Sequence, residues 1–207
     1  EIGSNKNASL VLTGQYSNEE YESLLSFWKT QFGSENIYHW TNHEEKWSEF
    51  DGLLMRGDKN PNSQGLQAAL KNHGIAAKKD FSSLTEQDFV FVAGPENQWV
   101  YDDIAEKAQT FAKNKKVVWM TPCLLPQTDN VKGDFLFIPL KTFAEKSGTF
   151  TNYDGLEQSF KKIDLFVDQA LCLSEASLIL SGKDLESSFF EPVERVHNEF
   201  VHERGTM

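Results

Sequence analysis

Residues Asp88 to Met120, "DFVFVAGPENQWVYDDIAEKAQTFAKNKKVVWM", decide the fold. The run Asp88–Ala93 is short, apolar and rich in Val and Phe, and the Gly94-Pro95 turn ends it. Val100, Ile104, Ala108 and Phe111 then recur at helical spacing, which predicts a helix near residues 97–114. Val117–Met120 is a second continuous apolar run. Strands that are apolar throughout, rather than alternating, and that are separated by a helix predict a parallel sheet covered on both faces.

Upstream, the same order appears once more. Ser9–Thr13 reads as a buried strand that Gly14 ends. Ser17-Asn18-Glu19-Glu20 is a capping box, in which Ser17 caps the Glu20 amide while Glu20 reaches back. Tyr21, Leu24, Leu25 and Trp28 follow on one face, so a helix is expected over about residues 18–32. Ile37–Trp40 is the next candidate strand, Leu53-Leu54-Met55 a short further one, and Arg56–Gly65 has the composition of a loop. Leu66, Ala69 and Leu70 predict a helix that Gly74 terminates, and Phe135–Ile138 is the last apolar run. Beyond residue 163 the pattern turns helical, with Ala170–Leu180 and then a final helix opened by Pro192 and faced by Val193, Val196 and Phe200. The expectation is a Rossmann-like α/β domain over residues 1–163, with a mostly parallel sheet and helices on both faces. A helical C-terminal extension, residues 164–207, packs on it.

A chain of 207 residues, 39% hydrophobic and 13% aromatic, has enough apolar side chain for a substantial core. The formal net charge of −11 opposes loose association with phosphate backbones, and the short basic run Lys113-Asn114-Lys115-Lys116 suits a solvated helix end. No apolar run reaches the length of a membrane span, and no signal peptide opens the chain. The first residues lack an initiator Met and run quickly into a strand, which suggests that the numbering begins inside a longer polypeptide.

Catalytic signatures are sparse. The sequence has no GxSxG elbow, P-loop, GxGxxG fingerprint or HExxH pattern. His39 and His43 are four apart beside Glu44 and Glu45, and His197 and His202 are five apart; solvated surface histidine is the default reading of both pairs. Cys123 and Cys172 are far apart and form no CxxC, so they do not supply the thiolates of an iron–sulfur cluster. A disulfide between them stays open from the sequence, and two free thiols in a reducing compartment suit the spacing better. Cys123 follows a strand end, where reactive thiols occur, but free Cys also packs well as a small hydrophobe.

Two loops carry the polar residues of interest. Arg56–Gly65, with Asn60 and Asn62, precedes a helix whose N-terminal amides can face an anion. The second, "FAEKSGTFTNYDGLEQ" over Phe143–Gln158, is punctuated by Gly148 and Gly155, which permit left-handed backbone. Asn152 and Asp154 can bind local amides, Glu145 and Lys146 can pair across the loop, and Thr149-Phe150-Thr151 favours extended backbone. These residues alone predict an ordered, internally hydrogen-bonded loop without a reaction.

The wider stretch "FLFIPLKTFAEKSGTFTNYDGLEQ", Phe135–Gln158, resembles a motif of molybdopterin oxidoreductase-like proteins. There a strand ends in Leu-Pro and is followed by a Thr/Phe-rich turn, Glu-Lys, Gly-Thr, Asn and Glu-Gly-Arg-x-Gln. Within that group the chain is most similar to the large iron–sulfur subunit of respiratory NADH:quinone oxidoreductase (complex I). Ser17-Asn18-Glu19-Glu20, Asn62-Ser63-Gln64-Gly65 and "DFVFVAG" match in order, and the resemblance covers roughly residues 8–181. Three departures stand out: Pro139-Leu140 inverts Leu-Pro, Asp154 replaces Glu, and Leu156 stands where the motif has Arg.

The resemblance implies a non-redox structural domain of an oxidoreductase, not itself catalytic. It implies no cofactor or metal in this segment, with iron–sulfur clusters elsewhere in the full-length subunit. The implied partners are the N-terminal cluster-bearing part of the same subunit and other peripheral-arm subunits. The implied location is the cytoplasmic side of the bacterial inner membrane, within a membrane-associated complex, with no insertion and no nucleic acid. Gly148, Thr149, Asn152, Gly155, Asn60 and Asn62 then mark a vestigial cofactor site. Two other readings compete: a pterin-binding domain of an active molybdenum or tungsten oxidoreductase, and a free-standing module for a small anionic ligand. Loss of the guanidinium at Leu156 speaks against the pterin.

Overall fold

The computed structural model describes residues 7–33, 36–43, 50, 53, 56–84, 87–96, 99–123 and 134–183. Five strands form one sheet: β1 (Ala8–Leu12), β2 (Ile37–His39), β3 (Phe89–Ala93), β4 (Lys116–Thr121) and β5 (Asp134–Pro139). Their order is β2-β1-β3-β4-β5, and every pairing is parallel. Helices α1 (Asn18–Gln31), α2 (Ser63–Asn72), α3 (Ile104–Phe111) and α4 (Leu173–Leu180) flank it. This is a doubly wound, Rossmann-like α/β fold. A separate antiparallel hairpin, β6 (Gly148–Thr151) with β7 (Glu157–Phe160), follows β5.

The alternation of side chains along each strand sends the sheet's residues into two cores. Leu10, Leu12, Phe91 and Met120 face α1, α2 and α4, where Phe27, Trp28 and Phe32 crowd around Phe91. Val11, Val90, Val92 and Trp119 face α3, with Trp40, Tyr101 and Phe111 closing an aromatic cluster. β1 is buried at every position, as a central parallel strand must be. β5 is not: it is an edge strand, exposed or half-exposed along its length.

Local chemistry sets the element ends. The expected capping box opens α1, with the Glu20 amide donating to Ser17 Oγ at 3.3 Å and the Ser17 amide to Glu20 Oε2 at 3.0 Å. The helix expected near 97–114 is shorter. Asp103 gives its carboxylate to the Trp40 indole N–H instead of capping, and Asn114 closes the far end on the Phe111 carbonyl. α4 starts later than Ala170 because Leu171 forms a bridge with Leu140 and Glu175 then accepts from the Cys172 amide. The expected strand at Leu53-Leu54-Met55, the Pro192 helix, and His197 and His202 lie wholly or largely outside the described residues. No helix among those described is long and apolar enough to cross a membrane.

Candidate functional site

In an open parallel sheet the ligand crevice lies beyond the carboxyl ends of the strands, where the strand order reverses. Here the reversal falls between β1 and β3. The segments that bound it are Thr13–Ser17 after β1 and Gly94–Glu96 after β3. Side chains from the whole molecule converge on this place, and they close it.

Lys146 is the centre. It follows the 3-10 turn at Phe143–Glu145 and is 4% exposed. Its Nζ lies 2.8 Å from Glu20 Oε2 and 3.2 Å from Glu96 Oε1, above the Tyr16 ring. Glu20 is a hub: beyond its capping bond it accepts the Leu173 amide at 2.9 Å, from the first turn of α4. A carboxylate belonging to the chain thus sits between the N-termini of α1 and α4, the position a helix end offers to an anion. Tyr16 donates to the Gly94 carbonyl, Tyr21 to the Thr13 carbonyl at 2.7 Å, and the Glu96 amide binds Gln15.

Burial pushes the Glu96 carboxyl up to about 7; the Lys146 ammonium pulls the other way, and the charge of Glu20 adds to the rise. Burial also depresses Lys146, but the two carboxylates outweigh it and hold the ammonium charged. Tyr16 is driven well up, chiefly by burial. For Glu19 burial is likewise the largest influence and acts upward, but bonds from the Thr149 amide and hydroxyl outweigh it and bring the carboxyl down.

The two sequence loops meet around this centre. The Thr151 amide donates to Asn62 Oδ1 at 2.7 Å, and Asn62 donates to the Tyr16 carbonyl and to Asn18 Oδ1. Asn18 in turn donates to Thr149 and Thr151 hydroxyls, both at 3.0 Å, and Glu19 accepts the Thr149 amide at 3.0 Å and its hydroxyl at 2.9 Å. Gly148 is required by close approach, since an added Cβ would lie 2.9 Å from Glu19 Oε2 and from Ser17 Cβ. Among the two loop glycines the left-handed backbone belongs to Gly155 alone, with φ of 80°.

The candidate residues therefore separate. Gly148, Thr149 and Asn62 lie together at the N-terminus of α1. Asn60 turns inward, accepting from Tyr101 at 2.7 Å and donating to Asn42 and Asp58. Asn152 and Gly155 shape the exposed hairpin tip, where Asn152 Oδ1 accepts the amides of Asp154 and Leu156. Glu145 and Lys146 do not pair with each other. Glu145 instead accepts the amides of Thr142, Phe166 and Val167. Sequence reasoning missed Glu96 and the Lys146 partners. The one available signal was position, because Glu96 follows the Gly94-Pro95 turn at a strand's carboxyl end.

The histidines part as well. His39 is buried with Nδ1 3.3 Å from the Gln67 amide, and its Nε2 has no partner among the described residues; burial, aided by Lys79, brings it down to about 4. His43 lies beside Asp102 and Asp103, with ligand-type atoms within 4.8 Å of one another. Asp103, however, already accepts from the Trp40 indole N–H at 3.1 Å and pairs with the Lys107 ammonium at 3.2 Å, whose charge offsets its own. Cys123 and Cys172 are free thiols. Cys123 donates to the Glu96 carbonyl, and burial, with Glu175, pushes Cys172 up to about 12.

A pterin phosphate entering the crevice would meet Glu19, Glu20 and Glu96 before it met a free amide. The residues present do not fit that group. Compared with known proteins, the chain matches no protein-family model and no curated protein.

Proposed function

We propose that this chain is a non-redox structural domain of the large iron–sulfur subunit of a respiratory NADH:quinone oxidoreductase. One observation carries the reading: the switch-point crevice is filled by Lys146, Glu20 and the β6–β7 hairpin of the chain itself. Lys146 and most of the hairpin come from the motif that resembles the family, so the segment that would grip a pterin in a catalytic relative here contributes to the plug. A plug made of a paired ammonium and internally bonded carboxylates supports packing and no electron or group transfer. In this reading clusters elsewhere in the subunit carry the electrons. The chain contacts the cluster-bearing part of its own polypeptide and neighbouring peripheral-arm subunits, on the cytoplasmic face of the membrane.

The test is affinity capture of the tagged native polypeptide from solubilised membranes. Recovery together with iron–sulfur absorbance and NADH-driven quinone reduction is expected; capture without either sinks the assignment. In parallel, the isolated chain is melted with and without pterin dinucleotide. An unchanged transition is expected, and a saturable upward shift would favour the pterin-binding alternative.

A further inference from the structure

A second opening lies at the other end of the sheet from the switch point. It is a cleft of about 480 Å³ between the last turn of α1, the last turn of α2 and the residues that enter β2. Ligand clefts commonly span about 300–1,000 Å³. Trp28, Ile75 and Ala76 give it an apolar wall, and Gly74 leaves it open, since a Cβ added there would meet no atom within 4 Å. Lys29 and Lys78 bring ammonium groups to it, and no carboxylate stands among the described lining residues. Elsewhere Lys107, Lys141 and Lys146 each pair with a carboxylate of the chain. Lys29 and Lys78 instead meet neutral acceptors, the His73 carbonyl at 3.5 Å and Asn36 Oδ1 at 2.9 Å. The Glu22 carboxylate is engaged by the His73 ring, 2.8 Å from Nε2. Lys29 suits the carbonyl end of α1, but its one long contact uses a single proton of three.

We propose that this cleft binds a small organic carboxylate, its charge on the Lys29 and Lys78 ammoniums and its apolar body against Trp28 and Ile75. A cleft lined by one sign of charge and walled by apolar groups concentrates its field, which sets it apart in a chain of formal charge −11. Each ammonium keeps donors beyond the bond it already makes, so a carboxylate adds to those contacts without breaking them. A phosphate fits less well. Its usual holders are a guanidinium fork or a helix N-terminus, and neither lines the cleft. Both helices turn their carbonyl ends toward it, and those ends oppose a dianion more than a monoanion. This inference stands independently of the electron-transfer reading.

Titration of the isotope-labelled chain with benzoate, followed by amide NMR, tests it. Shifts at Gly33, Gly74 and Ala76 that saturate together are expected. Benzamide, of the same shape without the charge, leaves those amides in place. Lys29→Gln and Lys78→Gln each weaken benzoate by roughly tenfold. Lys71→Gln, which removes a charge outside the lining, leaves the affinity unchanged. Variants at Lys29 and Lys78 that lower the melting transition but bind benzoate as the parent does would make both lysines helix-end partners only and overturn the proposal. Shifts that never saturate, an equal response to benzamide, tighter binding of phenyl phosphate, or equal weakening by Lys71→Gln would overturn it as well.

Discussion

The switch-point crevice and the β5 edge make opposite uses of the same sheet. At the crevice Glu20 and Lys146 are buried, Glu96 is nearly so, and the three find their partners in one another. At β5, apolar side chains and backbone groups stand open to solvent. The difference teaches where specificity resides. Removing water from Glu20, Glu96 and Lys146 is costly, so their positions have to agree closely. The edge carries no such cost, since its one charge, Asp134, stays exposed.

The comparison breaks most easily at Lys146. Lys146→Met leaves two carboxylates buried without their cation, and a loss of about 3–5 kcal/mol is expected in denaturant melts. A loss under about 1 kcal/mol would mean that the crevice is wetter than the contacts show.

Acid should come next. His39 has its ring held neutral, with a folded value of about 4 against 6.5 when free. Its contribution is present above pH 6.5 and is lost as pH falls through 4, by up to about 3 kcal/mol. Glu96 runs the other way: its value is raised, so its contribution is full below the ordinary 4.5 and is lost as pH rises through about 7. The two windows overlap with opposite sign and largely cancel in the parent, so in denaturant melts from pH 4 to 8 His39→Gln should expose a fall in stability with rising pH and Glu96→Gln a rise. Identical profiles for parent and variants would remove both assignments.

Gly65→Ala tests the seam between the loops. The added Cβ would lie 2.0 Å from Asn18 Oδ1 and 2.3 Å from Asn62 Oδ1, so both amides must move and release Thr149 and Thr151. A cost of about 1–3 kcal/mol is expected, with the Thr151 amide exchanging faster in hydrogen-exchange measurements. The smallest effect belongs to the edge. Leu136→Lys on the isolated fold should change stability by no more than about 0.5 kcal/mol, read from the same melts in dilute solution.

Much of the fold was legible from sequence because its signals are short-range. The apolar runs Asp88–Ala93 and Val117–Met120 allow little except buried strands, and the Ser17–Glu20 box names its own helix start. The hairpin tip was equally readable, since Asn152 binds amides two and four residues on. The start of α3 was not, because Asp103 is diverted by Trp40 from 63 positions away. The candidate site was half readable. Asn62, Gly148 and Thr149 do meet, but the loops showed no sign that they would bond to each other rather than to a ligand.

The sequence by itself determined the alternation of strands and helices, the caps, and the turn around Gly155, since each depends on groups within a few residues. Only the tertiary structure decided that Lys146 abandons its neighbour Glu145 for Glu20, 126 positions away, and for Glu96. It also decided that β5, as apolar as its neighbours, ends at the edge. The physical reason is the same in both cases: burial and pairing depend on which surfaces the folded chain brings together, and a local pattern carries no record of that.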